Sequence, residues 1–239
     1  MVSDDIVYGE GDDIESAAKD HDRNLSTLLK RCRDVGMKFN REKAELRKTE
    51  ISFLGHLVPS DGLKIDPEKV EAFLKMPKPE YVEGVRRFCV SVSYLPKFLP
   101  KLSDVLEPIR QLIRSETEWN WTSTHDKTFE TVQKRVNEAS TLAFNNPQEK
   151  LTIQCEASQT GLGAVLMQNG RPIAYTSRAL TETETRYAQI EKEMLAIVFS
   201  LEKFHQFSFG RFVRIESDHK PLVTILQKPS LPPRGDCRE

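Results

Sequence analysis

The dipeptide Asn169-Gly170, set between two apolar runs, constrains the fold more than any other feature of this sequence. Asn and Gly both accept the positive φ that a two-residue hairpin turn requires, so 161–167 and 172–176 are expected to be consecutive antiparallel strands. Leu151-Thr152-Ile153-Gln154-Cys155, just upstream, alternates apolar with polar and supplies the first strand of a three-stranded meander. Thr181 and Glu184 stand at capping-box spacing, and Tyr187, Ile190, Met194, Ile197, Val198, Leu201 and Phe204 then recur at helical intervals. One long amphipathic helix ending near Gly210 is therefore expected, followed by a fourth strand over 212–217 that delivers Asp218.

Helical spacing dominates the earlier part of the chain. Ile14, Ala17, His21, Leu25, Leu28 and Cys32 mark a helix over 14–35, with Gly36 where such a helix stops. The segments 51–58 and 63–65 predict two short strands joined by the turn Pro59-Ser60-Asp61-Gly62. Asp66-Pro67-Glu68 gives an N-cap and a proline at the first helical position, opening a helix that Pro77 and Pro79 close. Further helices are expected over 82–94, 102–113 and 125–139, and the pattern changes to strands at Asn145-Asn146-Pro147. The chain divides on this reading into 1–65, a helical 66–145, a sheet-bearing 146–228 and an irregular, proline-containing tail 229–239. The fold class is α/β (α+β) with a mixed sheet and a long helix.

Composition excludes several function classes. With 35 basic against 36 acidic residues the net charge is −1, so whole-chain electrostatics do not announce a nucleic-acid partner. Charge is instead local, acidic before Asp22 and basic over 30–50. No apolar run approaches the roughly 20 residues of a membrane span, and the acidic Met1-Val2-Ser3-Asp4-Asp5 is unlike a secretory leader. An intracellular, non-secreted protein without membrane partners is expected, its compartment undetermined. Cys32, Cys89, Cys155 and Cys237 are too far apart for a zinc knuckle or a disulfide scaffold and are expected to be reduced thiols.

A strand-meander-helix-strand order places Glu156 at the end of the first strand, a helix carboxylate nearby and Asp218 at the end of the fourth strand. Periodicity alone does not choose between Glu191 and Glu193 as the helix member, and dispersed surface acids are the plain alternative. Converging carboxylates repel unless cations neutralise them, and hard divalent ions prefer oxygen ligands, which suits metal-assisted phosphodiester hydrolysis.

Four ordered runs carry a more specific signal: Cys155-Glu156-Ala157-Ser158, Pro172-Ile173-Ala174-Tyr175-Thr176-Ser177, Tyr187-Ala188-Gln189-Ile190-Glu191-Lys192-Glu193, and Ser217-Asp218-His219-Lys220-Pro221. They resemble the ribonuclease H domain of gypsy-type LTR retrotransposon Pol polyproteins. That resemblance implies a catalytic and metal-binding set of Glu156, Glu193 and Asp218, Mg2+ (or Mn2+) as cofactor, and an RNA/DNA hybrid as substrate. Two departures bear on activity. The family has Asp where this chain has Glu156, and metal constellations tolerate displacements of only about 0.5 Å. Reduced or absent activity is therefore expected from Glu156 alone. The family's later strand and helices, including a fourth acidic position, also have no counterpart after about Leu226, so an incomplete and less stable domain is expected.

The upstream part is similar to the C-terminal part of the reverse transcriptase in the same polyprotein. Ser3-Asp4-Asp5-Ile6 resembles the hairpin motif whose aspartates hold catalytic magnesium, and Asp66-Pro67-Glu68-Lys69-Val70 and Tyr94-Leu95-Pro96-Lys97-Phe98 follow in the family's order. The resemblance implies a palm remnant over 1–65, with Phe53, Leu54, Gly55 and His56 as a primer-grip-like hairpin facing a primer-template, and a thumb and connection over 66–145. Lys69, Arg86, Arg87, Lys97 and Lys101 are candidate phosphate contacts, while Trp119 and Trp121 are expected to pack in the connection. The fingers and the earlier palm strand lie upstream of Met1 in relatives, so Asp4 and Asp5 form only part of a polymerase motif and no DNA polymerase activity is expected of the isolated chain.

Overall fold

The computed structural model describes residues 6–114 and 118–218. Asp4, Asp5 and the tail 229–239 lie outside the described residues. Two compact units are present, Met1–Ile51 and Ser52–Glu239.

The first unit is built on helix α1 (Ile14–Asp34). Asp13 caps it by accepting the Ser16 amide, Ser16 returns the bond, and Arg31 and Arg33 lie in the last turn, where the helix dipole favours cations. Asn24 Nδ2 donates to the Tyr8 carbonyl at 3.0 Å, and Arg47 pairs with Asp22 at 2.5 Å.

The expected strand over 51–58 is split. Leu54 and Gly55 adopt φ of 50° and 78°, consecutive left-handed residues that reverse the chain in a primed turn. Strands β1 (Glu50–Phe53), β2 (His56–Pro59) and β3 (Lys64–Ile65) consequently form a three-stranded sheet in that order, where the sequence pattern predicted two strands. Asp66 then caps α2 (Pro67–Leu74) by accepting from the Glu68 amide, and its other oxygen accepts a hydrogen bond from the Ser52 hydroxyl.

Helices α3 (Val82–Val92), α4 (Leu102–Gln111) and α5 (Ser123–Asn137) fall where their periodicity predicts. Their apolar stripes meet β3 and α2 in one core containing Phe73, Val85, Phe88, Phe98, Ile109 and Val132. Phe88 is fully buried and stacks with Phe73 at 5.5 Å, burial that contributes on the order of 2–3 kcal/mol. Leu63 and Leu142 exchange both backbone hydrogen bonds, at 2.8 and 2.9 Å, and close this core across its ends.

A second core lies under the larger sheet. Strands β4 (Leu151–Ala157), β5 (Gly161–Gln168) and β6 (Arg171–Ala179) form the expected meander, with Asn169 and Gly170 at φ of 49° and 75° in the turn. Strand β7 (Val213–Ser217) joins parallel to β4, giving the order β6-β5-β4-β7 and making the sheet mixed. Alternation directs Leu151, Ile153 and Cys155 inward against Ala196, Ile197 and Phe199.

The single long helix expected before β7 is interrupted. The Thr181–Glu184 capping box forms, but it caps only the one-turn helix α6 (Glu182–Thr185). Ala188 is extended, with ψ of 153°, and Glu191 reaches back to accept its amide at 2.8 Å, which starts α7 (Gln189–Lys203) anew. A last turn, α8 (His205–Ser208), precedes β7.

Candidate functional site

The parallel pairing of β4 with β7 ends at Cys155 and Ser217, so Glu156 and Asp218 are the next residues on two adjacent strand ends. Neighbouring strands lie about 4.8 Å apart, which brings the two backbones together although they are distant in sequence. The third member comes from the first turns of α7. Gln189 Nε2 donates both to the Ala157 carbonyl at 2.9 Å and to Glu193 Oε1 at 3.0 Å, tying the helix start to the end of β4.

The structure separates the two helix carboxylates that periodicity leaves equivalent. Glu191 is exposed and committed to capping α7 through the Ala188 amide. Glu193 is only 7% exposed, and its Oε2 is buried without a hydrogen-bond partner. A buried carboxylate oxygen is costly unless a proton, a water or a cation satisfies it. Burial first, and then the charges of Glu193 and Glu156, push the inward Cys155 thiol up to about 11. That coupling places both carboxylates in the electrostatic neighbourhood of one atom.

Glu156 is engaged differently. Its Oε2 pairs with Lys101 Nζ at 2.5 Å, and Lys101 is the residue immediately before α4, at a left-handed φ of 50°. Opposite it in the β4–β5 register is Gly163, where a Cβ would stand 3.3 Å from Glu156 Oε1, so the missing side chain leaves the carboxylate its room. The loop beyond is held by Ser158, whose hydroxyl donates to Asp104 Oδ1 at 3.0 Å and accepts from the Gly161 amide at 2.8 Å. Ser103 N donates to Ser177 Oγ at 3.1 Å, a further bond from α4 to the sheet. Sequence reasoning missed Asp104 because its partners lie more than fifty residues away; the Ser158-x-x-Gly161 spacing was the one local sign of that turn.

The oxygen-only donor set, the orphaned Glu193 oxygen and the space at Gly163 fit a hard divalent cation. In the observed rotamers, however, no three His, Cys, Asp or Glu side chains among the described residues stand close enough to share one. Glu156 Oε2 is paired instead with the Lys101 ammonium.

The remaining candidates are dispersed. Phe53 to His56 form the β1–β2 turn, with Leu54 exposed at its tip. His56 packs on Phe98 at 5.4 Å with its Nδ1 buried and unpartnered; burial, then the charge of Lys97, lowers its pKa. Among the basic candidates, Arg86 pairs with Glu83, Arg87 donates to the Tyr81 hydroxyl at 2.7 Å, and Lys97 is depressed by burial. Trp121 donates to Asp126 at 2.9 Å beneath the Lys78 ammonium and packs against the helical core. Among the described residues no helix is long and apolar enough to cross a membrane.

Residues 121–215 match the RNase H-like domain found in reverse transcriptase. Over 92% of its length the chain is 33% identical to the retrovirus-related Pol polyprotein from transposon 297 of Drosophila melanogaster, covering 20% of that protein. It is 35% identical to the opus polyprotein and 34% identical to the gypsy polyprotein of the same organism, covering 24% and 22% of them. The chain thus spans about a fifth of the length of these relatives. The fold is similar to that of the foamy viral protease-reverse transcriptase in complex with RNA/DNA hybrid, at a TM-score of 0.75 and 21% identity over 92% of this chain and 35% of that one. The same viral enzyme in complex with dsDNA matches at a TM-score of 0.75 and 22% identity, over 87% of this chain and 45% of that one.

Proposed function

The chain belongs to the gypsy-type retrotransposon Pol family, and from that premise we propose that it carries a ribonuclease H-like module that hydrolyses RNA within an RNA/DNA hybrid. On this reading 146–228 hold the nuclease, 66–145 serve as thumb and connection, and 1–65 are the end of a reverse transcriptase palm. The observation that carries it is the buried, unpartnered oxygen of Glu193 on α7, a helix tied through Gln189 to the end of β4, where the parallel β4–β7 pairing stops one residue before Glu156 and Asp218.

Each residue then has a role that follows from its surroundings. Glu193, fixed through Gln189, presents a carboxylate whose position is set before substrate arrives, and its burial strengthens its pull on a cation. Asp218, exposed at the end of β7, completes the site from the solvent side, where a phosphodiester enters. Glu156 is the third ligand once it leaves Lys101. A Mg2+ or Mn2+ held by these carboxylates would supply Lewis acidity at the scissile phosphate and would lower the pKa of an attacking water. Lys69 and Arg87 are left to contact the duplex backbone, giving affinity without sequence preference. Support for a nucleic-acid partner comes from the foamy viral enzyme, whose structures contain an RNA/DNA hybrid and dsDNA.

The test is incubation of the purified chain with a labelled RNA/DNA hybrid in Mg2+ and in Mn2+, beside Glu193→Gln. Slow cleavage of the RNA strand, reduced by Glu156 in place of Asp, that disappears in the variant is the expected result. A folded chain that leaves the hybrid intact, or a variant that cuts equally well, refutes it. One observation favours a second reading, a non-catalytic hybrid-binding module: the Lys101 ammonium already neutralises Glu156. Salt-sensitive hybrid binding, unaltered in Glu193→Gln and unaccompanied by cleavage, identifies that case.

A further inference from the structure

The contacts of α4 with the sheet converge on one end of the proposed metal site. Lys101 pairs with Glu156, Ser103 N binds Ser177 Oγ, and Asp104 Oδ1 accepts from Ser158, all within four residues of the start of the helix. They grip the end of β4, the β4–β5 loop and the end of β6. Lys101 holds a left-handed conformation, which a residue with a Cβ adopts at a cost, and the ion pair to Glu156 is the interaction its side chain gains there.

We propose that Lys101 is a built-in competitor of the divalent cation: its ammonium holds Glu156 out of the metal site, so that the cation must displace Lys101 to gain its third carboxylate. The inference rests on the metal-dependent reading above. It follows from the geometry in three steps. Glu156 Oε2 is engaged by a charge-assisted contact of 2.5 Å, whereas Glu193 Oε2 has no partner. A carboxylate oxygen facing an ammonium loses most of its attraction for a second cation, because the two positive charges repel across the same few ångströms. Finally, the pair is half exposed on both sides, so its hold is weak enough for a doubly charged ion to break. The reach of Glu156 matters here, since a carboxylate one carbon–carbon bond shorter is withdrawn from Lys101.

The probe is Mn2+ alone, titrated into the full chain and read as loss of the free-ion electron paramagnetic resonance signal. Wild type, Lys101→Met, Lys101→Arg and Glu156→Asp are compared, each also carrying Glu193→Gln as the site control. Methionine keeps the apolar stem without the charge, and thermal melts verify that each variant folds. Removing one positive charge about 4 Å from a divalent ion in water is worth roughly tenfold or more in affinity. Lys101→Met and Glu156→Asp are expected to tighten Mn2+ binding by about tenfold, Lys101→Arg to leave it near wild type, and Glu193→Gln to abolish it throughout. If wild type binds Mn2+ through Glu193 and the Met and Asp variants bind it no more tightly, the competition is overturned while the metal site stands. If no folded variant binds Mn2+ in a Glu193-dependent way, both are overturned together.

Discussion

Arg178 and Glu184 form the best-made ion pair among the described residues, with two parallel bonds of 2.7 and 2.8 Å. The Arg178 bonds, followed by the Thr181 amide, depress Glu184 from an ordinary 4.5 to about 2. The folded state therefore binds its proton less readily than the unfolded chain does. The resulting stabilisation is complete above about 4.5 and disappears as the pH falls through about 2. Glu184→Gln is expected to cost about 1–2 kcal/mol at pH 7. Urea unfolding at pH 7 and again at pH 3 measures this, and the gap between variant and wild type must narrow at the lower pH. The same residue illustrates what sequence can and cannot deliver. Its spacing from Thr181 announced a cap, whereas nothing local announced Arg178, which reaches it from the end of β6.

Elements were legible where period and punctuation agreed. Helices α1 to α5 and the meander each have an apolar stripe bounded by a capping residue, a proline or a glycine, and those signals act over a few residues. The two corrections arose where backbone conformation overrode pattern. Leu54 at positive φ cut a strand in two, because Gly55 beside it allowed the turn and the hairpin pairing compensated the strain. Extended Ala188 cut a helix in two, because Glu191 supplied a new cap. The carboxylates lay at recognisable places in their motifs, but the engagement of Glu156 by Lys101 links β4 to α4 across the fold and leaves no local trace. Gly62 shows how tightly one such join is made. At its φ of 155° a Cβ would stand 2.1 Å from the Leu142 carbonyl oxygen. Gly62→Ala must push the Leu63–Leu142 pairing apart and is expected to cost about 2–3 kcal/mol, a loss that denaturant unfolding measures directly.

For the molecule as a whole, a net charge of −1 leaves the proposed nucleic-acid affinity to a few local cations. Each phosphate they neutralise adds about −0.7 to −0.9 to the slope of log affinity against log salt. Lys69→Ala is accordingly expected to flatten that slope by roughly one for a hybrid duplex, irrespective of its sequence, as fluorescence anisotropy at several salt concentrations can read. An unchanged slope removes Lys69 from the interface. The parallel pairing of β7 with β4 carries a further consequence, in the order of events rather than in the finished structure. Gln154 and Glu216 face each other in that register across 62 residues of chain. The meander, by contrast, closes through local turns. Closing a long loop costs entropy that short hairpins do not incur, so β4 to β6 can assemble early and β7 must dock late. During synthesis the meander emerges from the ribosome before β7 exists. Glu156 and Asp218 thus become neighbours only in one of the last steps of folding, and a chain whose growth or folding stops short of β7 holds a sheet without the proposed site.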